Sequence, residues 1–190
     1  MTGQGNSLLA LRTLLATRST RRGQFTLASG RVSTLYIDAR LTTMSPEGLA
    51  LIGPLGLDAV RNAGWHVDAV GGLTLGADPI AYAISYASAL EGKTLVRAFT
   101  VRKEPKTHGT GQLIEGPFRA GDRVAVVEDV ITTGTSALRA AEAIRAAGGN
   151  IVGILALVDR EEGGREMLEN AGFQVWPLTR ASELVSLLSV

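Results

Sequence analysis

Short apolar runs alternate with longer amphipathic ones along this chain, and the order is β then α, repeated. Leu8, Leu11, Leu14 and Leu15 share one face of a helix over residues 7–17, and FTLASGRVSTLYIDAR after it reads as folded strand. His66–Gly72 is a short apolar strand that ends in the turn GGLTLGAD, and PIAYAISYASAL continues as a helix. Thr94–Val101 forms the next strand. A polar stretch without period follows, RKEPKTHGTGQLIEGPFRAGD. Val124–Val127 is a buried strand that carries on to Val130 past two acids, and ALRAAEAIRAAGG is a helix with a glycine stop. The strand Ile151–Val158 completes a βαβ unit, Gln174–Trp176 is a last short strand, and Leu184–Leu188 closes the chain as a short helix. The pattern is α/β, a doubly wound and mostly parallel sheet, which places ligands beyond the carboxyl ends of the strands.

Composition narrows this picture mainly by exclusion. The 190 residues suffice for one domain with a substantial core. A formal net charge of +1 offers no bulk attraction for nucleic acid. The absence of cysteine removes disulfides, thiolate nucleophiles and thiolate-bound metals. His66 and His108 are the two histidines, so a bound metal is expected to be a hard ion such as Mg²⁺, held by oxygen and by the substrate rather than by direct protein ligation. His66, beside Trp65, reads as structural. No run reaches the roughly eighteen apolar residues of a membrane span. The first acid is Asp38, after Arg12, Arg18, Arg21, Arg22 and Arg31, a balance shared with organelle transit peptides. The leucine face of residues 7–17 favours a packed helix instead, and a cytoplasmic location is expected.

The chemistry concentrates in RVAVVEDVITTGTS, residues 123–136. A buried strand delivers Glu128 and Asp129 and then a loop of small hydroxyl residues and one glycine, Thr132, Thr133, Gly134, Thr135 and Ser136. Such a loop at a helix N-terminus offers N–H groups, hydroxyl donors and a positive dipole end to an anion. Two carboxylates just before a phosphate cradle suit a ligand that carries vicinal hydroxyls as well, a ribose 5-phosphate. The polar stretch adds cations: Arg102, Lys103, Lys106 and His108 fall within VRKEPKTHGTGQ, offset by Glu104. Only three of the nineteen Lys and Arg residues are lysine, and two of them are here. A compact ammonium approaches phosphate oxygens as a point charge.

These motifs resemble a known family. VVEDVITTGTS is similar to the phosphoribosyl-pyrophosphate motif of the type I phosphoribosyltransferases, and RKEPKTHGTGQLIEG resembles the R-K-x-x-K-x-H-G catalytic loop of orotate phosphoribosyltransferases. FTLASGRVSTLYIDAR resembles the hood over the pyrimidine, GGLTLGADPIA the pyrophosphate loop, and LVDREEGG carries Arg160 where the family places an orotate-binding arginine. Two departures stand out: one branch has lysines where this chain has Ala28 and Gly76, so those contacts do not carry over. Glu128-Asp129 replaces the more frequent Asp-Asp.

The resemblance implies one phosphoribosyltransferase domain over residues 1–190, with a hood from about 1–45 plus the C-terminal segment and a core from about 46–165. It implies transfer of ribose 5-phosphate from phosphoribosyl pyrophosphate to orotate, giving orotidine 5′-monophosphate and pyrophosphate in UMP biosynthesis. Lys106, His108 and Asp129 are then the catalytic candidates. Phosphoribosyl pyrophosphate is assigned to Arg102, Lys103, Lys106, His108, Glu128, Asp129, Val130, Ile131, Thr132, Thr133, Gly134, Thr135 and Ser136, and orotate to Thr132 and Arg160. A homodimer whose mobile loop reaches the neighbouring site is also implied. Two alternatives stay open. A phosphoribosyltransferase for adenine or xanthine would need no carboxylate-binding arginine. A non-catalytic sensor of phosphoribosyl pyrophosphate would usually add a nucleic-acid-binding element, for which helix 7–17 is too short. For Arg160 itself, a surface salt bridge with Glu161 or Glu162 is the competing reading.

Overall fold

The computed structural model describes residues 2–26, 32–104 and 113–188. Its centre is a six-stranded sheet in the order β5-β4-β3-β6-β7-β8, built from β3 (Ala69–Leu73), β4 (Arg97–Val101), β5 (Ile114–Glu115), β6 (Arg123–Ile131), β7 (Asn150–Asp159) and β8 (Val175–Arg180). β3, β4, β6, β7 and β8 run parallel, and the two-residue β5 pairs antiparallel with β4. The interior strands read as unbroken apolar runs because both faces are covered. On one face Val70, Ala125, Val127, Leu155 and Leu157 pack against α3 (Pro46–Asn62) and α4 (Ala77–Glu91). On the other, Val124, Val126, Ile154 and Ala156 pack against α5 (Thr135–Ala146) and α6 (Gly164–Asn170). The expected doubly wound α/β architecture is the one observed.

The order of the strands locates the site. From β3 the chain moves outward to β4 and β5, then returns to lay β6 on the other side of β3. The strand order therefore reverses between β3 and β6, and the turns leaving those two strands diverge to open a crevice at their carboxyl ends.

The N-terminal residues fold over that end. α1 (Thr2–Leu14) passes into a π-helical turn, Leu15–Ser19, and Leu11 and Leu15 are fully buried, as the leucine periodicity requires. An antiparallel hairpin of β1 (Thr20–Thr26) and β2 (Val32–Ile37) follows, then the short α2 (Arg40–Thr43). Buried Ser19 and Thr42 share a 2.8 Å hydroxyl contact that ties the π turn to α2. At the other terminus α7 (Ala181–Leu187) closes on α1 through the Arg12–Glu183 ion pair, 2.7 Å. The central sheet itself continues to Arg180.

Some boundaries differ from the sequence reading. β3 begins at Ala69, leaving His66 exposed in the preceding loop. β4 begins at Arg97 rather than Thr94, because the Val96 N–H is bonded to Ser88 Oγ and the segment is still turning off α4. The helix α3 was not expected from the sequence at all. Among the described residues no helix is long and apolar enough to cross a membrane.

Candidate active site

β6 carries the acid pair to the crevice. Glu128 sits opposite Ala156 in the ladder with β7 and is 8% exposed. Its Oε2 has no hydrogen-bond partner among the described residues. Burial first, then the neighbouring charge of Asp129 and a hydrogen bond shared with it, push the Glu128 carboxyl up to about 9. At neutral pH Glu128 is therefore a protonated acid beside Asp129. One Asp129 oxygen accepts from the Val130 N–H at 2.9 Å. The carboxylate lies against Gly76, where an added Cβ would fall 2.5 Å from its atoms. The position that departs from the lysine-bearing branch is thus one where a side chain would strike the Asp129 carboxylate.

Beyond Ile131 the chain turns through Thr132–Gly134 into α5. Gly134 is the N-cap with φ +80°, and α5 has neither a capping side chain nor an acid in its first turn. The helix start keeps its N–H donors and positive dipole end for a ligand. Thr133 and Thr135 hydroxyls lie 3.0 Å apart. The loop is braced from behind by α6: a Cβ on Gly134 would meet Met167 Cε at 2.7 Å and the Gly164 carbonyl at 2.8 Å.

The opposite wall is the turn after β3. Thr74 N–H donates to the Val101 carbonyl at 2.8 Å, and the Thr74–Leu75 peptide is cis. Thr74 Oγ1 donates to Asp78 Oδ2 at 2.6 Å and Thr100 Oγ1 donates to Asp78 Oδ1 at 2.8 Å.

The cleft between these walls has a volume of about 300 Å³. It is lined by Tyr36, Ile37, Asp38 and Arg40 from the hood side, by Leu73–Gly76, and by Lys103, Glu128, Asp129, Val130, Thr132, Ser136 and Arg160. Seven of the residues proposed from sequence are thereby brought together. Ile131 points instead into the core under α5, and Thr133, Gly134 and Thr135 shape the loop without lining the cleft. Arg102 builds the stem of the cationic loop: its N–H donates to the Leu113 carbonyl at 2.8 Å and its guanidinium lies 3.6 Å from Glu115. Arg139 of α5 holds the Lys103 carbonyl. Lys106, His108 and Ala28 lie outside the described residues.

Arg160 is 7% exposed at the end of β7, with Nη2 donating to Ser33 Oγ at 3.2 Å and to the Leu35 carbonyl at 3.1 Å. It also pairs with Glu162, so the ion-pair reading holds, but in a buried setting on the cleft wall rather than at the surface. Its Nε has no partner among the described residues.

Sequence reasoning missed Tyr36, Asp38, Arg40, Thr74 and Asp78 as individual contributors. Arg40 reaches the cleft rim while its guanidinium grips Asp38 at 2.8 and 3.0 Å. That grip, strengthened by the Arg40 charge, holds the Asp38 carboxyl below its ordinary range against the opposing effect of burial. The segment YIDAR supplied the signal, an acid and a base two residues apart at a strand end.

Comparison with known proteins gives one consistent result. Residues 44–174 match the family model described as a phosphoribosyl transferase domain. A curated protein of Aquifex aeolicus (strain VF5), named orotate phosphoribosyltransferase, is 49% identical over 161 residues, covering 85% of this chain and 86% of its own length. The orotate phosphoribosyltransferase of Pyrococcus abyssi is 44% identical over 162 residues, with 85% and 86% covered. Among solved structures, the Mycobacterium tuberculosis orotate phosphoribosyltransferase in complex with 5-phospho-alpha-D-ribosyl 1-diphosphate superposes with a TM-score of 0.78 at 39% identity, over 94% of this chain and 99% of that one.

Proposed function

This chain belongs to the phosphoribosyltransferase family, and as an orotate phosphoribosyltransferase it transfers ribose 5-phosphate from phosphoribosyl pyrophosphate to orotate in pyrimidine biosynthesis; from that premise we propose how its cleft divides the work. The observation that carries the assignment is convergence. At the one place where the strand order reverses, Thr132 and Ser136 flanking the uncapped helix start, the acid pair and a buried arginine line a single cleft.

The N–H groups and hydroxyls of Thr132–Ser136 hold the 5′-phosphate. Asp129 and Glu128 hold the ribose hydroxyls, Glu128 as a neutral acid able both to donate and to accept. During transfer the C1–O bond to pyrophosphate breaks and its electron pair leaves with the pyrophosphate. Orotate N1 forms the new bond to C1, and its proton is balanced by the basic oxygen of the departing pyrophosphate. The ribose carries positive charge between these events, and the Asp129 carboxylate favours it electrostatically. Lys103, with Lys106 and His108 from the cationic loop, neutralises the leaving group, while Arg102 shapes the loop's stem. Arg160 receives the orotate carboxylate through its guanidinium fork, and Thr132 meets the pyrimidine edge.

Mg²⁺ suits this donor set as an ion carried in on pyrophosphate oxygens. Of the acids lining the cleft, Asp129 would be the one available to it, because Glu128 is protonated and Asp38 is already held by Arg40; pyrophosphate and water would supply the rest of its oxygens. When bound, the ion neutralises pyrophosphate charge.

The whole chain acts as one catalytic domain within a homodimer. The support is an apolar cleft between α3 and α4, lined by Leu49, Pro54, Tyr82, Tyr86 and Leu90 among others, with Tyr86 67% and Leu90 71% exposed. A cytoplasmic location fits substrates too highly charged to cross a membrane unaided.

The direct test mixes purified protein with orotate, phosphoribosyl pyrophosphate and Mg²⁺ and follows the loss of orotate absorbance, with adenine and xanthine in parallel. Mg²⁺-dependent consumption of orotate alone is expected. Turnover of a purine instead would remove the Arg160 assignment.

A further inference from the structure

Asp78 has no place in the reaction as described so far, yet it is joined to two strand ends at once. Thr74, in the turn after β3, and Thr100, on β4, each spend a hydroxyl proton on it, at 2.6 and 2.8 Å. Thr100 Oγ1 lies 2.8 Å from the Tyr82 hydroxyl. Because the single Thr100 proton goes to Asp78, Tyr82 must be the donor in that contact. The result is a directed chain, Tyr82 to Thr100 to Asp78, with Thr74 donating to the same carboxylate from the cleft side. Thr74 is held a second time through its N–H on the Val101 carbonyl. Arg102, the next residue, opens the cationic loop.

We infer that Asp78 is a positioning residue for the pyrophosphate end of the substrate: it fixes the turn Thr74–Gly76 so that the turn's backbone, rather than a lysine, meets the leaving group. This deepens the reading of the reaction above and rests on it. The turn lines the cleft beside the acid pair, with Gly76 against the Asp129 carboxylate. It carries Gly76 where a lysine would bring its own charge, and a Cβ there would strike Asp129. A turn that must work through N–H groups has to be held in place before the ligand arrives, since fixed dipoles stabilise charge only when they need not reorganise. Asp78 supplies that fixation from the first turn of α4, where the helix dipole favours a carboxylate. Both of its oxygens already accept hydroxyls. Tyr82 extends the chain to the exposed α4 face, so the turn is also anchored to the apolar surface assigned to the partner subunit.

The test compares Asp78→Ala, Asp78→Asn and Thr74→Val, with kcat and both KM values measured alongside calorimetric binding of pyrophosphate. Asp78→Ala is expected to weaken pyrophosphate binding and raise the KM for phosphoribosyl pyrophosphate by about tenfold or more, with the KM for orotate within about twofold. Thr74→Val removes the same bond from the other side and is expected to give the same split without disturbing the core. Asparagine should recover most of the loss, because the Thr74 hydroxyl can turn and accept from its amide. The double variant Asp78→Ala/Thr74→Val should cost less than the sum of the two. Equal damage to both substrates would reduce Asp78 to a general fold element, and an Asn variant as impaired as Ala would show that its charge, not its hydrogen bonds, matters. Either result overturns the inference, as does a Thr74→Val protein indistinguishable from the parent. Failure of the parent protein to consume orotate would instead overturn the reaction reading, while pyrophosphate binding still decides the role of Asp78.

Discussion

One proton distinguishes the two adjacent acids of the cleft. Glu128 is buried beside Asp129, and its carboxyl is raised from 4.5 to about 9, so the folded chain holds a proton over that window which the unfolded chain releases. Its contribution to stability is whole below about pH 4.5 and is lost as pH rises through about 9, at most about 1.4 kcal/mol per pH unit. The ligand-free melting temperature should therefore fall between about pH 5 and 9, and Glu128→Gln should remove part of that fall. A Gln variant with the parent's slope would mean that Glu128 is already ionised at neutral pH. Arg160 is a second case in which geometry, not charge alone, decides. Three acceptors hold Nη2 while the buried Nε stays unpartnered, so the guanidinium plane is fixed on the cleft wall. Arg160→Lys keeps the charge and loses the fork. It should raise the KM for orotate by about tenfold to a hundredfold with little change in that for phosphoribosyl pyrophosphate, measured by steady-state kinetics at saturating co-substrate.

At the scale of elements, the hydroxyl-rich loop at the start of α5 depends on a helix that does not line the cleft. α6 packs Met167 and the Gly164 carbonyl behind Gly134, whose φ of +80° also excludes most side chains. Gly134→Ala should cost more than about 1 kcal/mol in denaturant unfolding and raise the KM for phosphoribosyl pyrophosphate, because the loop must move off its brace. This also explains what the sequence could convey. The strands were legible because runs such as Val124–Val127 are apolar on both faces, and the turn from β6 into α5 because acids, hydroxyls and helix start are contiguous. α3 was hidden by its own packing. Gly48, Gly53, Gly56 and Pro54 read as breakers, but a Cβ on Gly53 would fall 2.6 Å from the Ala83 carbonyl, so the glycine serves the approach of α4. Ser45, which caps the helix by accepting from the Gly48 N–H at 3.1 Å, was the available signal. Asp78 was illegible for another reason: its second partner, Thr100, is on a different strand, and no local pattern announces that contact.

The whole molecule raises the question of whose loop closes whose cleft. Tyr82, Tyr86 and Leu90 recur every four residues along α4, with Tyr82 52% exposed. A stripe of this kind beside an apolar cleft suits a second copy of the chain, since a two-fold axis sets the same patch against itself. A charge placed there, Tyr86→Glu, should shift sedimentation from dimer to monomer and lower turnover if the cationic loop works across the interface. Hybrid dimers separate crossing from simple support. Asp129→Asn disables a site through its own strand, and Lys106→Ala disables whichever site receives that loop. Each variant alone should be nearly inactive. When the two are mixed and allowed to exchange subunits, loops that cross concentrate both defects in one site of the hybrid and leave the other intact. With half the dimers hybrid and one good site in each, activity should recover to about a quarter of the parent's. Loops that close on their own subunit leave every site with one defect, and mixing then restores nothing.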